Sequence, residues 1–222
     1  MIKTYQEIVS IGSSCCPGLS LRKLNYKGET YPFDWIRSNS KIIYDVIING
    51  SEKYTTFNSK ISNDYIVKDI HSYTHPEFDN RYINYYGQYF THYTEINNTD
   101  LVTKFKRYME RFFELLNSNK KVLFIHSNEE YIYHKKSRDN KTELYEYLCK
   151  INDILERKYP NLNFQILNID INNFTNFGNI VNFNFEYNLP FSDYCENHTA
   201  DFYEPYRRKI TEIIEKYIKD II

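Results

Sequence analysis

Apolar and polar positions along the chain fall into two periods. A short apolar run, Ile8-Val9-Ser10-Ile11, halts at Gly12 and predicts a buried strand over residues 7–12. Runs of similar length at 122–125, 164–169 and 180–185 predict three more strands. Between them the spacing changes to that of a helix. Leu101, Val102, Phe105, Tyr108, Met109, Phe112, Phe113 and Leu116 share one face, with Thr99 or Asp100 as cap. A second long amphipathic stretch covers 144–159 and stops at Pro160, and a third covers 202–222. A shorter helix is expected at 17–25, with Pro17 near its first position, where a missing N–H costs nothing. Another is expected at 41–49, capped by Ser38 or Ser40. Residues 31–36 read as a structured loop and 127–141 as a loop or a short exposed helix. Residues 51–98 are weakly periodic, with 61–70 and 82–93 readable as strands of a hairpin-like insertion.

Strand and helix therefore alternate. The expected architecture is α/β: a three-layer sandwich with a mainly parallel sheet and an irregular or β insertion around residues 51–98. No repeat or low-complexity linker divides the chain, so residues 1–222 read as a single α/β domain. Composition adds that aromatics, with 23 Tyr and 15 Phe, carry much of the core. The net charge of −1 supplies no broad basic field for nucleic acid. The clusters Lys104, Lys106, Arg107, Arg111 and Arg207, Arg208, Lys209 read as solvated helix faces. No apolar run is long enough to span a membrane, and the first residues lack the apolar core of a signal peptide. Cys15 and Cys16 are adjacent while Cys149 and Cys195 are isolated, which fits free thiols in a reducing, cytoplasmic setting better than a disulfide framework.

In an open parallel sheet, chemistry gathers at the carboxyl ends of the strands. The first strand delivers Gly12, Ser13, Ser14, Cys15 and Cys16 to that edge; the next delivers His126 and Ser127, and the third Asp170. The segment before the last helix adds Asp193, Cys195, Glu196, His198 and Asp201. A thiol or hydroxyl, a histidine and a carboxylate at one edge are what nucleophilic catalysis needs. Cys15 would face the N–H groups of a helix start, which favour thiolate and could hold an oxyanion together with the turn of Gly12, Ser13 and Cys16. The competing reading is that both cysteines are small residues packed in a turn. His92, with aromatic neighbours, has the competing reading of a buried, hydrogen-bonded structural histidine, and His134, beside two lysines, reads as an exposed one. His71 and His75 have two-histidine spacing, but Pro76 opposes a helical zinc face, so no metal site is expected. Gly12 belongs to no nucleotide-binding glycine motif, so no cofactor is expected either.

Three blocks carry a resemblance: Ile8-Val9-Ser10-Ile11-Gly12-Ser13-Ser14-Cys15, Leu21-Arg22-Lys23-Leu24 and Tyr31-Pro32-Phe33-Asp34-Trp35-Ile36. Together they resemble a family labelled "putative papain-like cysteine peptidase", found in bacteria and large DNA viruses. Phe90-Thr91-His92-Tyr93 is similar to its histidine block, with Tyr93 where an acidic residue is usual. Residues 106–112 resemble its basic helix and 122–126 its second core strand, with His126 where arginine is expected. The resemblance implies a cysteine hydrolase with Cys15 as nucleophile, His92 as base, and Asp34 orienting the base or holding its loop. Papain-like enzymes pack the cysteine helix against an antiparallel barrel, whereas the pattern here predicts a parallel sheet. That layout is similar to the Ser-Gly-Asn-His hydrolases, in which reading Ser14 is the nucleophile and His198 the base. Asp193 and His198 stand too far apart for that family's usual spacing. The third reading is a non-catalytic module that binds glycan or protein. For an enzyme, the substrate would be a small molecule, glycan or peptide with an amide or ester bond.

Overall fold

The four apolar runs pair side by side in one sheet. The computed structural model describes residues 5–12, 15–26, 28–36, 38–58, 83–86, 98–127, 141–170, 172–185 and 200–219. In chain order the elements are β1 (Glu7–Ser10), α1 (Cys16–Lys23), α2 (Ser40–Asn49), β2 (Phe57–Asn58), β3 (Ile83–Asn84) and α3 (Asn98–Leu116). They continue with β4 (Lys121–Ser127), α4 (Lys141–Lys158), β5 (Asn163–Asp170), β6 (Ile180–Asn184) and α5 (Ala200–Lys219). The main sheet has the order β1-β4-β5-β6, with every pair parallel. Phe57 and Asn58 pair antiparallel with Asn84 and Ile83, the described strand pair of the 51–98 insertion. The strands expected at 61–70 and, apart from β3 and its turn, 82–93 lie outside the described residues.

Alternate side chains leave the sheet on opposite faces. Val9, Ile11, Phe124, Ile166 and Ile180 pack against α2, α3 and α4. Ile8, Leu123, Ile125, Leu167 and Ile169 pack against α1 and α5, through Cys16, Leu21, Tyr206 and Ile210. Burial on both faces is why these strands read as nearly unbroken apolar runs. The result is the expected α/β sandwich. No helix among the described residues is long and apolar enough to cross a membrane.

Several boundaries differ from expectation. Asn39, rather than Ser38 or Ser40, caps α2: its Oδ1 accepts the Ile42 N–H at 3.0 Å. The Ser40 hydroxyl instead donates to the Leu144 carbonyl at 2.6 Å, tying α2 to α4. Helix α3 starts at Asn98, ahead of the expected caps. His126 and Ser127 belong to β4 and do not follow it, because Ser127 N–H still reaches across to the Gly12 carbonyl at 3.0 Å.

β1 is the edge strand of the described sheet, and an open edge must be covered. In a parallel ladder alternate N–H groups point inward and outward. Ile11 N–H bonds the Ile125 carbonyl at 2.8 Å, while Ile8 N–H points outward to the Tyr26 hydroxyl at 2.9 Å. The outward N–H of Ser10 bonds the Asp34 carboxylate. Tyr26 reaches the edge because Asn25, at φ 56°, turns the chain back at the end of α1, with Tyr26 N–H on the Leu21 carbonyl at 2.9 Å. Residues 31–36, with 38 and 39, then form a strap over the edge. They link α1 on one face to α2 on the other, which accounts for the aromatic, proline-containing block. Phe33 is the strap's anchor, fully buried and edge-on to Tyr54 (5.5 Å) and Phe112 (5.3 Å).

Candidate active site

The chain turns at Gly12, just past β1, in a conformation that side chains resist. Its φ is +103°, and a Cβ would stand 2.1 Å from the Ser38 carbonyl oxygen and 3.2 Å from Ile43 Cδ1. Cys15 occupies the N-cap of α1, where its carbonyl accepts the Leu19 N–H at 2.9 Å. Its side chain does not cap the helix, and Pro17 lies in the first turn. The two adjacent cysteines therefore separate in role. Cys16 is buried in the cluster beneath α1 and α5, whereas Cys15 stays half-buried at the surface of the turn. Neither they nor Cys149 form a disulfide. Unpaired N–H groups at a helix start favour anions, here a thiolate or an oxyanion. One turn further, a Cβ on Gly18 would stand 2.6 Å from the Asp34 carbonyl oxygen, so α1 rests directly on the strap backbone.

Asp34 uses its carboxylate to hold this arrangement. Oδ2 accepts the Tyr31 N–H at 2.8 Å, and the carboxylate also accepts the Ser10 N–H. Burial pushes its pKa up to about 7, against the downward pull of the Tyr31 N–H, the Arg22 guanidinium and the Ser10 N–H. Arg22 stacks over the Trp35 ring, 4.2 Å from its centroid, and fastens the last turn of α1 to the strap. One carboxylate thus ties the strap to β1, and it makes no contact with a histidine among the described residues.

His126 is placed differently. Its ring leaves the sheet on the face covered by α2, α3 and α4, whereas Cys16 packs on the opposite face. Asn168 gives an amide N–H to Asn182 Oδ1 at 2.8 Å, so its own Oδ1 accepts from His126 Nδ1–H, also at 2.8 Å. Asn182 in turn donates to the Tyr145 hydroxyl at 2.8 Å. The row follows the register, since His126 pairs with Asn168 and Asn168 with Asn182. Burial drives the His126 pKa down to about 4, so the ring is neutral, with only the Asn168 bond opposing that shift. Asp170 is also occupied locally: Oδ1 accepts the Asn172 backbone N–H at 2.8 Å and its amide at 2.6 Å, closing a turn after β5. The polar row escaped the sequence reading. Its only signal was a His just past one predicted strand and an Asn on each of two others, in a chain where Asn is abundant.

Asp34 and His126 give stability opposite pH dependences. Asp34 keeps its proton to about pH 7 in the fold, against an ordinary value of 3.8. The native state binds the extra proton between those values, so its contribution falls as pH rises through the window. His126 moves from 6.5 to about 4, so the unfolded chain binds the extra proton and stability rises across that range. Asp34→Asn should therefore make the urea midpoint climb more steeply than wild type from pH 4 to pH 6.5, and His126→Gln should flatten the climb. Curves parallel to wild type for both variants would contradict this assignment.

Of the other expected site residues, Ser13, Ser14, His92 and His198 lie outside the described residues. So do His71, His75, His134, Asp193, Cys195 and Glu196. Among the described residues, the turn brings together Gly12, Cys15, Cys16 and the strap carrying Asp34, while His126 belongs to the polar row. A surface cavity of about 520 Å³, lined by Ser51, Thr55, Val102, Lys106 and Glu110, involves none of them.

Residues 6–173 match the family described as putative papain-like cysteine peptidase. An uncharacterized protein of Acanthamoeba polyphaga mimivirus is 29% identical over 158 residues, covering 64% of this chain and 70% of the relative. No solved structure matches the chain.

Proposed function

The chain belongs to the putative papain-like cysteine peptidase family, and from that premise we propose that it is a cysteine hydrolase or transferase acting on an amide or ester bond, with Cys15 as nucleophile. The observation that carries this reading is the position of Cys15. It is a half-buried thiol at the N-cap of a helix, on the carboxyl side of the first strand, beside a cysteine that is committed to the core.

In the proposed step the Cys15 thiolate attacks the substrate carbonyl carbon, and N–H groups at the start of α1 hold the developing oxyanion. The C–N or C–O bond then breaks, and the leaving amine or alcohol takes the proton that the base removed from the thiol. Water or an acceptor nucleophile releases the acyl group from the sulfur. His92 is the base assigned by the family's histidine block. Asp34 acts as a positioning residue, because its carboxylate is engaged by two backbone N–H groups of the strap and β1. His126, neutral and bonded to Asn168, serves the sheet. Unbridged Cys15, Cys16 and Cys149 fit a reducing, cytoplasmic setting.

One observation favours a second reading. The sheet is wholly parallel, and the turn follows β1 directly, a layout in which Ser14 would be the nucleophile with His198 as base. Two probes separate the readings. The protein is treated with a peptidyl vinyl sulfone and, separately, with a fluorophosphonate, and the adducts are mapped by peptide mass spectrometry. The thiol reading predicts a vinyl sulfone adduct at Cys15 that is lost in Cys15→Ala. A fluorophosphonate adduct at Ser14 with Cys15 unlabelled would overturn it, and adducts at neither residue would favour a binding module.

A further inference from the structure

Gly12 and Gly18 stand three residues to either side of Cys15, and both meet the same strap through backbone carbonyls. A Cβ on Gly12 would lie 2.1 Å from Ser38 O, and one on Gly18 2.6 Å from Asp34 O. Gly12 and Gly18, on either side of the candidate nucleophile in the chain, are thus each seated on the strap backbone. The strap is itself fixed from three sides. On the β1 side, the Asp34 carboxylate accepts the Ser10 N–H. On the core side, the Tyr54 hydroxyl donates to the Pro32 carbonyl at 3.1 Å and lies 3.3 Å from the Ser38 hydroxyl. At the surface, Arg22 stacks on Trp35. Packing alone would not require backbone contact at both glycines. The two contacts lie three residues to either side of the thiol that starts α1.

We propose that the strap is a clamp that sets the reactive position of Cys15, with Asp34 and Tyr54 as positioning residues acting through the backbone carbonyls of Asp34 and Ser38. This rests on the reading of Cys15 as nucleophile. A thiol displaced from the helix start loses the stabilisation of its anion there, and small misplacements of a reacting group cost rate steeply.

Tyr54→Phe tests the clamp, because it removes the contacts to the Pro32 carbonyl and the Ser38 hydroxyl without changing charge or adding volume. Trp35→Phe, at a partly buried position, is the second variant should the first fail to fold. Folding is verified by circular dichroism and thermal melting. Two readouts are then compared with wild type: the pH profile of Cys15 alkylation by iodoacetamide, and amide hydrogen exchange across residues 16–19. The clamp predicts that a folded variant labels Cys15 at neutral pH about tenfold more slowly or worse, with its midpoint moved up towards that of an ordinary thiol and exchange at the start of α1 accelerated. Folded variants that keep the wild-type profile overturn the clamp and leave the nucleophile reading intact. If wild-type Cys15 itself titrates as an ordinary thiol, the nucleophile reading fails. Amide exchange then decides the mechanical part alone, and exchange unchanged from wild type overturns that as well.

Discussion

Phe33→Ala is expected to lower the unfolding free energy by about 3–5 kcal/mol, a large part of the stability of an ordinary domain. The ring is fully buried and contacts Tyr54 and Phe112 edge-on, so truncation loses apolar burial, two aromatic contacts and the space between them. Phe33 carries the strap into the aromatic core, with the buried Tyr31 and Ile36 beside it. Urea unfolding followed by circular dichroism measures the effect, with the slope unchanged if the native state keeps its compactness. Phe33→Leu, which retains much of the volume, should lose much less. A loss under about 1 kcal/mol for Phe33→Ala would mean that the strap is held by something other than its aromatic anchor.

Gly12→Ala is expected to be at least as damaging. The new methyl group would meet a backbone carbonyl at 2.1 Å, and no side-chain rotation can relieve a clash between two pieces of main chain. The φ of +103° adds strain of about 1–3 kcal/mol for a residue with a side chain. Gly50→Ala separates the two effects, because Gly50 has φ +86° but no atom within 4 Å of an added Cβ. Thermal melts of both variants should show a modest fall for Gly50→Ala and a much larger one, or failure to accumulate folded protein, for Gly12→Ala. Equal falls would imply that the contact with Ser38 gives way readily.

What the sequence made legible follows from these same contacts. The four strands were readable because burial on both faces leaves apolar runs of strand length, and the long helices because one apolar stripe repeats every three or four residues. Their ends were less legible. Asn39 could not be told from its neighbours as a cap, since Ser38 and Ser40 flank it and serine and asparagine both cap helices. His126 and Ser127 are polar and so seemed to lie past β4, yet both are buried inside it. The row from His126 to Asn182 spans sequence separations of 42 and 14 residues and exists only once three strands are in register. The block at 31–36 was visible as a structured loop, but its use was not. That depends on β1 being an edge whose outward N–H groups at Ile8 and Ser10 need acceptors from elsewhere in the chain. The turn at 12–18 was legible as a candidate site because glycine, cysteine and proline follow a strand there. Its bracing by the strap was not, because a glycine in sequence gives no sign of which carbonyl it makes room for.

The claim on which the rest depends is that Cys15 is an activated thiol. Its most direct test is the rate of iodoacetamide alkylation at Cys15 as a function of pH, read by peptide mass spectrometry in the folded protein and in a urea-denatured control. An activated thiol labels fast in the folded protein, with an apparent pKa well below ~8.5, and more slowly at neutral pH once the turn is unfolded. Labelling that titrates at or above ~8.5, no faster in the folded protein than in urea, would contradict it.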